Sequence, residues 1–264
     1  MYRRVLGLTF GAPSRLCGIT LLMGIFGCML HADQINLSET PWTGSLGDAA
    51  AGQGTYTNAD GFSAPPFSAT QTIVGGQSDF TSSGAVPISE LTASLNITVG
   101  QLTPFISSTD GIGNGSAVWW DGVNANAGDV LSIWVNFVSN DYGPYNDFAF
   151  FSAAQAGGGS NVALLGAMDC NTYPDTCTGD FGSTGYYDFQ YTFTETGVYQ
   201  LGFGVVNVGP TDGDALDPGA FQSDSALLLE ETPEPSTLLL IAPAIVGAFL
   251  MRRRKSLSSP TPSL

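Results

Sequence analysis

Between Asp33 and Met251 the chain contains no lysine and no arginine. All 7 basic residues lie at the ends, at Arg3, Arg4, Arg15, Arg252, Arg253, Arg254 and Lys255, while all 23 acidic residues fall between Asp33 and Glu234. Phosphate contacts dominate the affinity of proteins for nucleic acid and require cations, and the field of such an acidic middle would repel a polyanion. DNA and RNA are therefore excluded as expected partners. Histidine is nearly as scarce: His31 is the one copy and sits at the edge of the N-terminal segment. Without His or Lys, the middle cannot assemble a Ser-His-Asp or Cys-His triad, a Schiff-base lysine or a zinc site with imidazole ligands. What remains is carboxylate chemistry, as a glycosidase-like acid and base pair or as oxygen ligands for a hard cation.

Both ends read as targeting segments. Residues 1–32 combine a basic opening with an apolar run from Leu16 to Leu30 and a small residue, Ala32, before polar sequence, which predicts a secretory signal peptide cleaved after Ala32. Three other readings stay open: a retained N-terminal anchor, a lipoprotein acylated on Cys28, and a twin-arginine route through Arg3 and Arg4. At the other end, residues 238–251 form an apolar run that spans roughly 21 Å as a helix, against a hydrocarbon core of about 30 Å. Pro243 interrupts it and Arg252 to Lys255 close it. The basic cluster is expected to stay cytoplasmic by the positive-inside rule, which places the acidic middle outside, and residues 256–264 are expected to form a disordered cytoplasmic end.

Pro233, Glu234 and Pro235, then the apolar run, then Arg252, Arg253, Arg254 and Lys255 follow one another in that order. Residues 232–255 resemble a PEP-CTERM sorting tail. The resemblance implies an exported bacterial protein, held briefly in the inner membrane by its C-terminal helix, processed by an exosortase-type enzyme and delivered to the cell surface or extracellular matrix, where extracellular polysaccharide is a partner. An alternative is a plain C-terminal membrane anchor. The match covers the tail and implies nothing about the chemistry of the middle.

The middle, about two hundred residues, is one ordinary domain. Residues 33–79 are rich in Gly, Ser, Thr and Pro and predict loops with edge strands. Residues 80–231 alternate. "ELTASLNITV" places Leu91, Ala93, Leu95, Ile97 and Val99 on one face, "DVLSIWVNFVSN" does so with Leu131, Ile133, Val135 and Phe137, and "YYDFQYTFTET" with Tyr187, Phe189, Tyr191 and Phe193. Further strands are expected in "SAVWWDGV", "DFAFFSAA", "NVALLGAM", "GVYQLGFGVVNV" and "DSALLLEE", separated by turn signals. Short strands with Gly-rich and Asp-rich connections predict an all-β fold, an antiparallel β-sandwich of jelly-roll type flanked by the signal helix and the C-terminal apolar helix.

Cys170 and Cys177 survive signal cleavage, and export predicts a disulfide between them, worth roughly 2 to 3 kcal/mol in the chain-entropy model. Asp141 and Asp147 in "SNDYGPYNDF" and Asp212, Asp214 and Asp217 in "GPTDGDALDPG" gather carboxylates on Gly-containing turns. Such oxygens suit calcium, although Asp, Asn and Gly also simply favour turns. Trp119 and Trp120 are neighbours, so a strand sends one to each face; the exposed one would offer a ring for sugar stacking, whereas Trp134 is expected in the core. The resulting expectation is a non-enzymatic surface or matrix module with a structural, adhesive or glycan-binding role. A carboxylate-dependent enzyme acting on polysaccharide is the alternative, and it needs carboxyls about 5 to 10 Å apart.

Overall fold

Leu131, Ile133, Val135 and Phe137 on alternate positions of Val130–Val138, and Tyr187, Phe189 and Tyr191 on those of Tyr187–Thr192, turn one face of each strand to the core, and the longer strand is largely buried on its other face as well. The computed structural model describes residues 34–35, 42–57, 61–67, 69–76, 84–106, 110–140, 143, 145–210 and 225–231. Residues 1–33 and 232–264, on which the expected signal segment and sorting tail fall, lie outside them. The strands are β1 (Gln34–Ile35), β2 (Gly44–Leu46), β3 (Ala49–Gln53), β4 (Tyr56–Thr57), β5 (Ser63–Ala64), β6 (Gln71–Gly75), β7 (Val86–Pro87), β8 (Asp110–Ala125), β9 (Val130–Val138), β10 (Phe148–Gln155), β11 (Ser160–Ala167), β12 (Tyr187–Thr192), β13 (Gly197–Pro210) and β14 (Ala226–Glu231). Among the described residues two short α-helices, α1 (Ile88–Ser94) and α2 (Val99–Leu102), and a 3-10 turn over Thr103–Phe105 interrupt them.

The protein is mostly β, with antiparallel sheets. One sheet runs β3–β6–β14–β9–β12, with β1 added in parallel to β9; the other runs β2–β8–β13–β10–β11, with β7 on β8. A single hydrophobic cluster draws Leu131, Ile133, Val135 and Phe137 from the first sheet and Phe151, Leu165, Leu201 and Phe203 from the second. Each such side chain, when fully buried, contributes about 1.5–3 kcal/mol. At its centre Phe151 packs 4.9 Å from Tyr191, 5.1 Å from Phe203 and 5.2 Å from Phe189, ring centre to ring centre. The Tyr187 hydroxyl donates to the Leu165 carbonyl, tying β12 of one sheet to β11 of the other, and burial pushes that phenol up to about 12.

Two segments differ from the sequence expectation. "ELTASLNITV" is not a strand: it contributes most of α1, a turn and the start of α2. Leu91 and Leu95 satisfy the spacing of a strand and of a helix alike. Pro87 just before the helix, burial of Leu91, Thr92 and Leu95, and exposure of Ala93 select the helix. Asn96, at φ 53°, ends α1: its N–H donates to the Ala93 carbonyl and that of Ile97 to the Thr92 carbonyl, a Schellman arrangement. α1 lies on the second sheet's face opposite the main cluster. A Cβ on Gly202 would stand 2.7 Å from Leu95 Cδ2, and one on Gly115 2.9 Å from Leu91 Cδ1. The glycines of β8 and β13 thus make room for the two leucines.

The second difference is β6. The 33–79 region, expected to supply loops and edge strands, provides an inner strand between β14 and β3, with buried residues at both ends.

Candidate functional site

Four separate segments meet at the end of the second sheet that carries the α1 terminus. β8 contributes Asp121, β10 contributes Gln155, β13 contributes Val198 and Gln200, and the Schellman turn contributes Asn96; the Gly157–Gly159 turn closes a groove of roughly 380 Å³. Gln200 is fixed within it. Its Oε1 accepts from Asn96 Nδ2 at 2.9 Å, and its Nε2 donates to Asp121 Oδ1 at 2.9 Å and to the Ser94 carbonyl at 3.0 Å. The second oxygen of Asp121 accepts from the Thr43 hydroxyl at 2.9 Å, and that hydroxyl accepts the Asp121 N–H at 2.8 Å. Gln155 donates to the Thr196 carbonyl at 3.3 Å. Preset carboxamides and a carboxylate beside an exposed valine form a surface suited to hydroxyl-rich ligands.

Neither Trp119 nor Trp120 lines this groove. The strand sends them to opposite faces. Trp120 packs against the main cluster, while Trp119 packs on the α1 side, where a Cβ on Gly44 would stand 2.1 Å from its Cζ2. Both rings are partly buried.

Of the five aspartates grouped as metal ligands, Asp147 alone is among the described residues; Asp141, Asp212, Asp214 and Asp217 lie outside them. Asp147 is fully buried, its Oδ1 accepting the Val208 N–H at 2.9 Å and its Oδ2 accepting from Ser225 Oγ at 2.7 Å. One carboxylate therefore ties the residue before β10 to the end of β13 and to the residue before β14. Next to it, Asn146 donates to the Phe105 carbonyl at 2.8 Å and accepts the Asp169 N–H at 2.7 Å. Among the described residues no group of three or more His, Cys, Asp or Glu is placed to hold a metal ion.

A third constellation lies on the outer face of the first sheet. Trp134, expected in the core, stands on the opposite face of β9 and stacks on Phe67, with ring centres 4.7 Å apart and planes 11° from parallel. Asp188 on β12 and Glu230 on β14 are its direct cross-strand neighbours. Asp188 accepts from Ser132 at 2.5 Å and from Gln190 at 2.7 Å; the nearly buried Glu230 accepts the Phe67 N–H. The Tyr186 hydroxyl donates to Gln71, and burial, with Glu230 beside it, holds that phenol well above its ordinary value. Nothing in the spacing of these residues along the chain announced either this row or the groove.

Cys170 and Cys177 form the expected disulfide, with Cα atoms 4.9 Å apart. Asp169 beside it is held below the ordinary carboxylate range, first by the Thr172 hydroxyl at 2.5 Å and also by the Asn171 N–H at 2.8 Å. No helix among the described residues is long and apolar enough to cross a membrane. Compared with family models, curated proteins and solved structures, the chain matches none of them.

Proposed function

We propose that the chain is an exported surface or matrix protein, sorted by its PEP-CTERM-like tail, whose domain is a jelly-roll β-sandwich that binds glycan. The groove holding Asn96, Asp121, Gln155 and Gln200 is the observation that carries the binding reading. The disulfide and the cation-free middle favour export, since disulfides persist in oxidising compartments. Support for the jelly roll is the strand order: β6, β14, β9 and β12 neighbour one another in one sheet, and β8, β13, β10 and β11 in the other, so that successive strands wind between two layers. The test is an array of polysaccharides probed with the full chain in a sugar-free detergent. Retention of at least one polysaccharide supports the reading, and retention of none refutes it. For the tail, replacing Pro233, Glu234 and Pro235 by alanine in the native host should leave an unprocessed, membrane-held chain; unchanged size and release would remove the sorting assignment.

Calcium belongs to the same reading. Asp147 ties Val208 to Ser225, on either side of residues 211–224, and Asp141, Asp212, Asp214 and Asp217 are the further carboxylates that the sequence offers for the ion. Thermal unfolding with calcium or chelator tests this: a rise in midpoint with calcium supports the site, and coincident curves dismiss it.

One observation favours the enzymatic alternative. Asp188 and Glu230 are directly opposite Trp134 on the two strands beside β9, so two carboxylates share one face of the sheet, as a glycosidase-like acid and base pair requires. Release of reducing ends from polysaccharide, abolished in Glu230→Gln, would establish it; no release by the wild-type protein would leave the binding module.

A further inference from the structure

We propose that the groove takes an uncharged glycan, without calcium, and discriminates against uronate-, sulfate- and phosphate-bearing ones; the proposal rests on the glycan-binding reading above. Hydrogen-bond accounting comes first. Gln200 spends both N–H donors on Asp121 and Ser94 and its Oε1 accepts from Asn96, so it orders the groove. Among the described residues no internal donor reaches Asn96 Oδ1 or Gln155 Oε1. Those two oxygens, with the remaining lone pairs of the Asp121 carboxylate, form a set of fixed acceptors around one opening. Hydroxyl groups are the complementary donors, and a sugar ring supplies several at fixed spacing together with C–H faces for Val198, which is 43% exposed, and Ala156. Because the acceptors are held in place before binding, little side-chain freedom is lost when a ring enters.

Charge then sets the class. Asp121 lies in the opening, and no Lys or Arg occurs anywhere between Asp33 and Met251 to receive an anion. A carboxylated, sulfated or phosphorylated sugar would bring its charge toward Asp121 and into the field of an acidic domain, with no cation to compensate. Bridging by calcium, the usual way for an acidic surface to hold an acidic ligand, needs several oxygen ligands, and the groove lining supplies one carboxylate.

The test compares immobilised β-glucan, mannan and galactan with polygalacturonate and alginate, using the full chain in a sugar-free detergent, in parallel with calcium and with chelator. The expected result is binding to at least one neutral polymer, at least tenfold weaker binding to both uronates, and at least tenfold loss of neutral binding in Asp121→Ala and Gln155→Ala. Gln155 makes one long internal hydrogen bond, so Gln155→Ala keeps the test decisive if Asp121→Ala fails to fold. Uronates bound as tightly as the neutral polymers would overturn the inference while leaving the glycan-binding reading in place. Binding to no polymer of either kind would remove that reading itself. Neutral binding undiminished in both folded variants would overturn the assignment to this groove.

Discussion

At the scale of single residues, Asp147 is the most consequential carboxylate described. Both its oxygens accept hydrogen bonds inside the fold, from Val208 and Ser225, and hydrogen bonds to charged groups contribute about 1.5–3 kcal/mol each. Asp147→Ala leaves the Val208 N–H buried without its acceptor, so it should destabilise the domain by about 3 kcal/mol and free the ends of β13 and β14. A thermal midpoint within a degree of wild type would show that the tie is not needed. Tyr187 carries a pH prediction. Its phenol is pushed from an ordinary 10.0 up to about 12 by burial, so the fold prefers the neutral form. That contribution is complete below pH 10.0 and is lost as pH rises through about 12. No lysine titrates in the middle of the chain, so tyrosine ionisation should dominate alkaline unfolding. Tyrosinate absorbance and circular dichroism should change together near that pH, and Tyr187→Phe should shift the transition upward; an unmoved transition would assign alkaline unfolding elsewhere.

At the scale of elements, α1 explains both how Asn96 reaches the groove and why the sequence misdirects. Gly202 exists as a glycine because Leu95 and Ser152 occupy the space of its Cβ, at 2.7 and 2.5 Å. Gly202→Val should push α1 off the sheet, cost about 1–3 kcal/mol through overpacking and weaken glycan binding by displacing Asn96. Unchanged stability with intact binding would contradict this account of α1 docking. The strands β9 and β12 were legible because Leu131, Ile133, Val135 and Phe137, then Tyr187, Phe189 and Tyr191, alternate without a competing period. Leu91, Leu95 and their neighbours fit two periods at once, and besides Pro87 it is burial against Gly115 and Gly202 that decides between them, a contact between residues far apart in the chain. The same distance hid the groove: Asn96, Asp121, Gln155 and Gln200 have no characteristic spacing, and topology alone gathers them. Trp119 and Trp120 drew notice by adjacency, yet the groove is lined by amides. The disulfide, fixed by short-range spacing and an export expectation, could be anticipated from the chain alone.

At the scale of the whole molecule, the separation of charge governs behaviour. An acidic domain with no internal cations repels itself, so added salt should raise its thermal midpoint by screening. Trypsin cuts after Lys and Arg, and none lies between Asp33 and Met251, so even the denatured domain should yield one large fragment. Multiple fragments on a gel would contradict the sequence-level account. The central claim, that the groove at the α1 end is the glycan site, is tested most directly by a crystal structure of the protein soaked with a neutral oligosaccharide bound in solution. The account predicts a sugar ring within hydrogen-bond reach of Asn96, Asp121 and Gln155, resting on Val198. An oligosaccharide seated instead along Trp134, between Asp188 and Glu230, would contradict it.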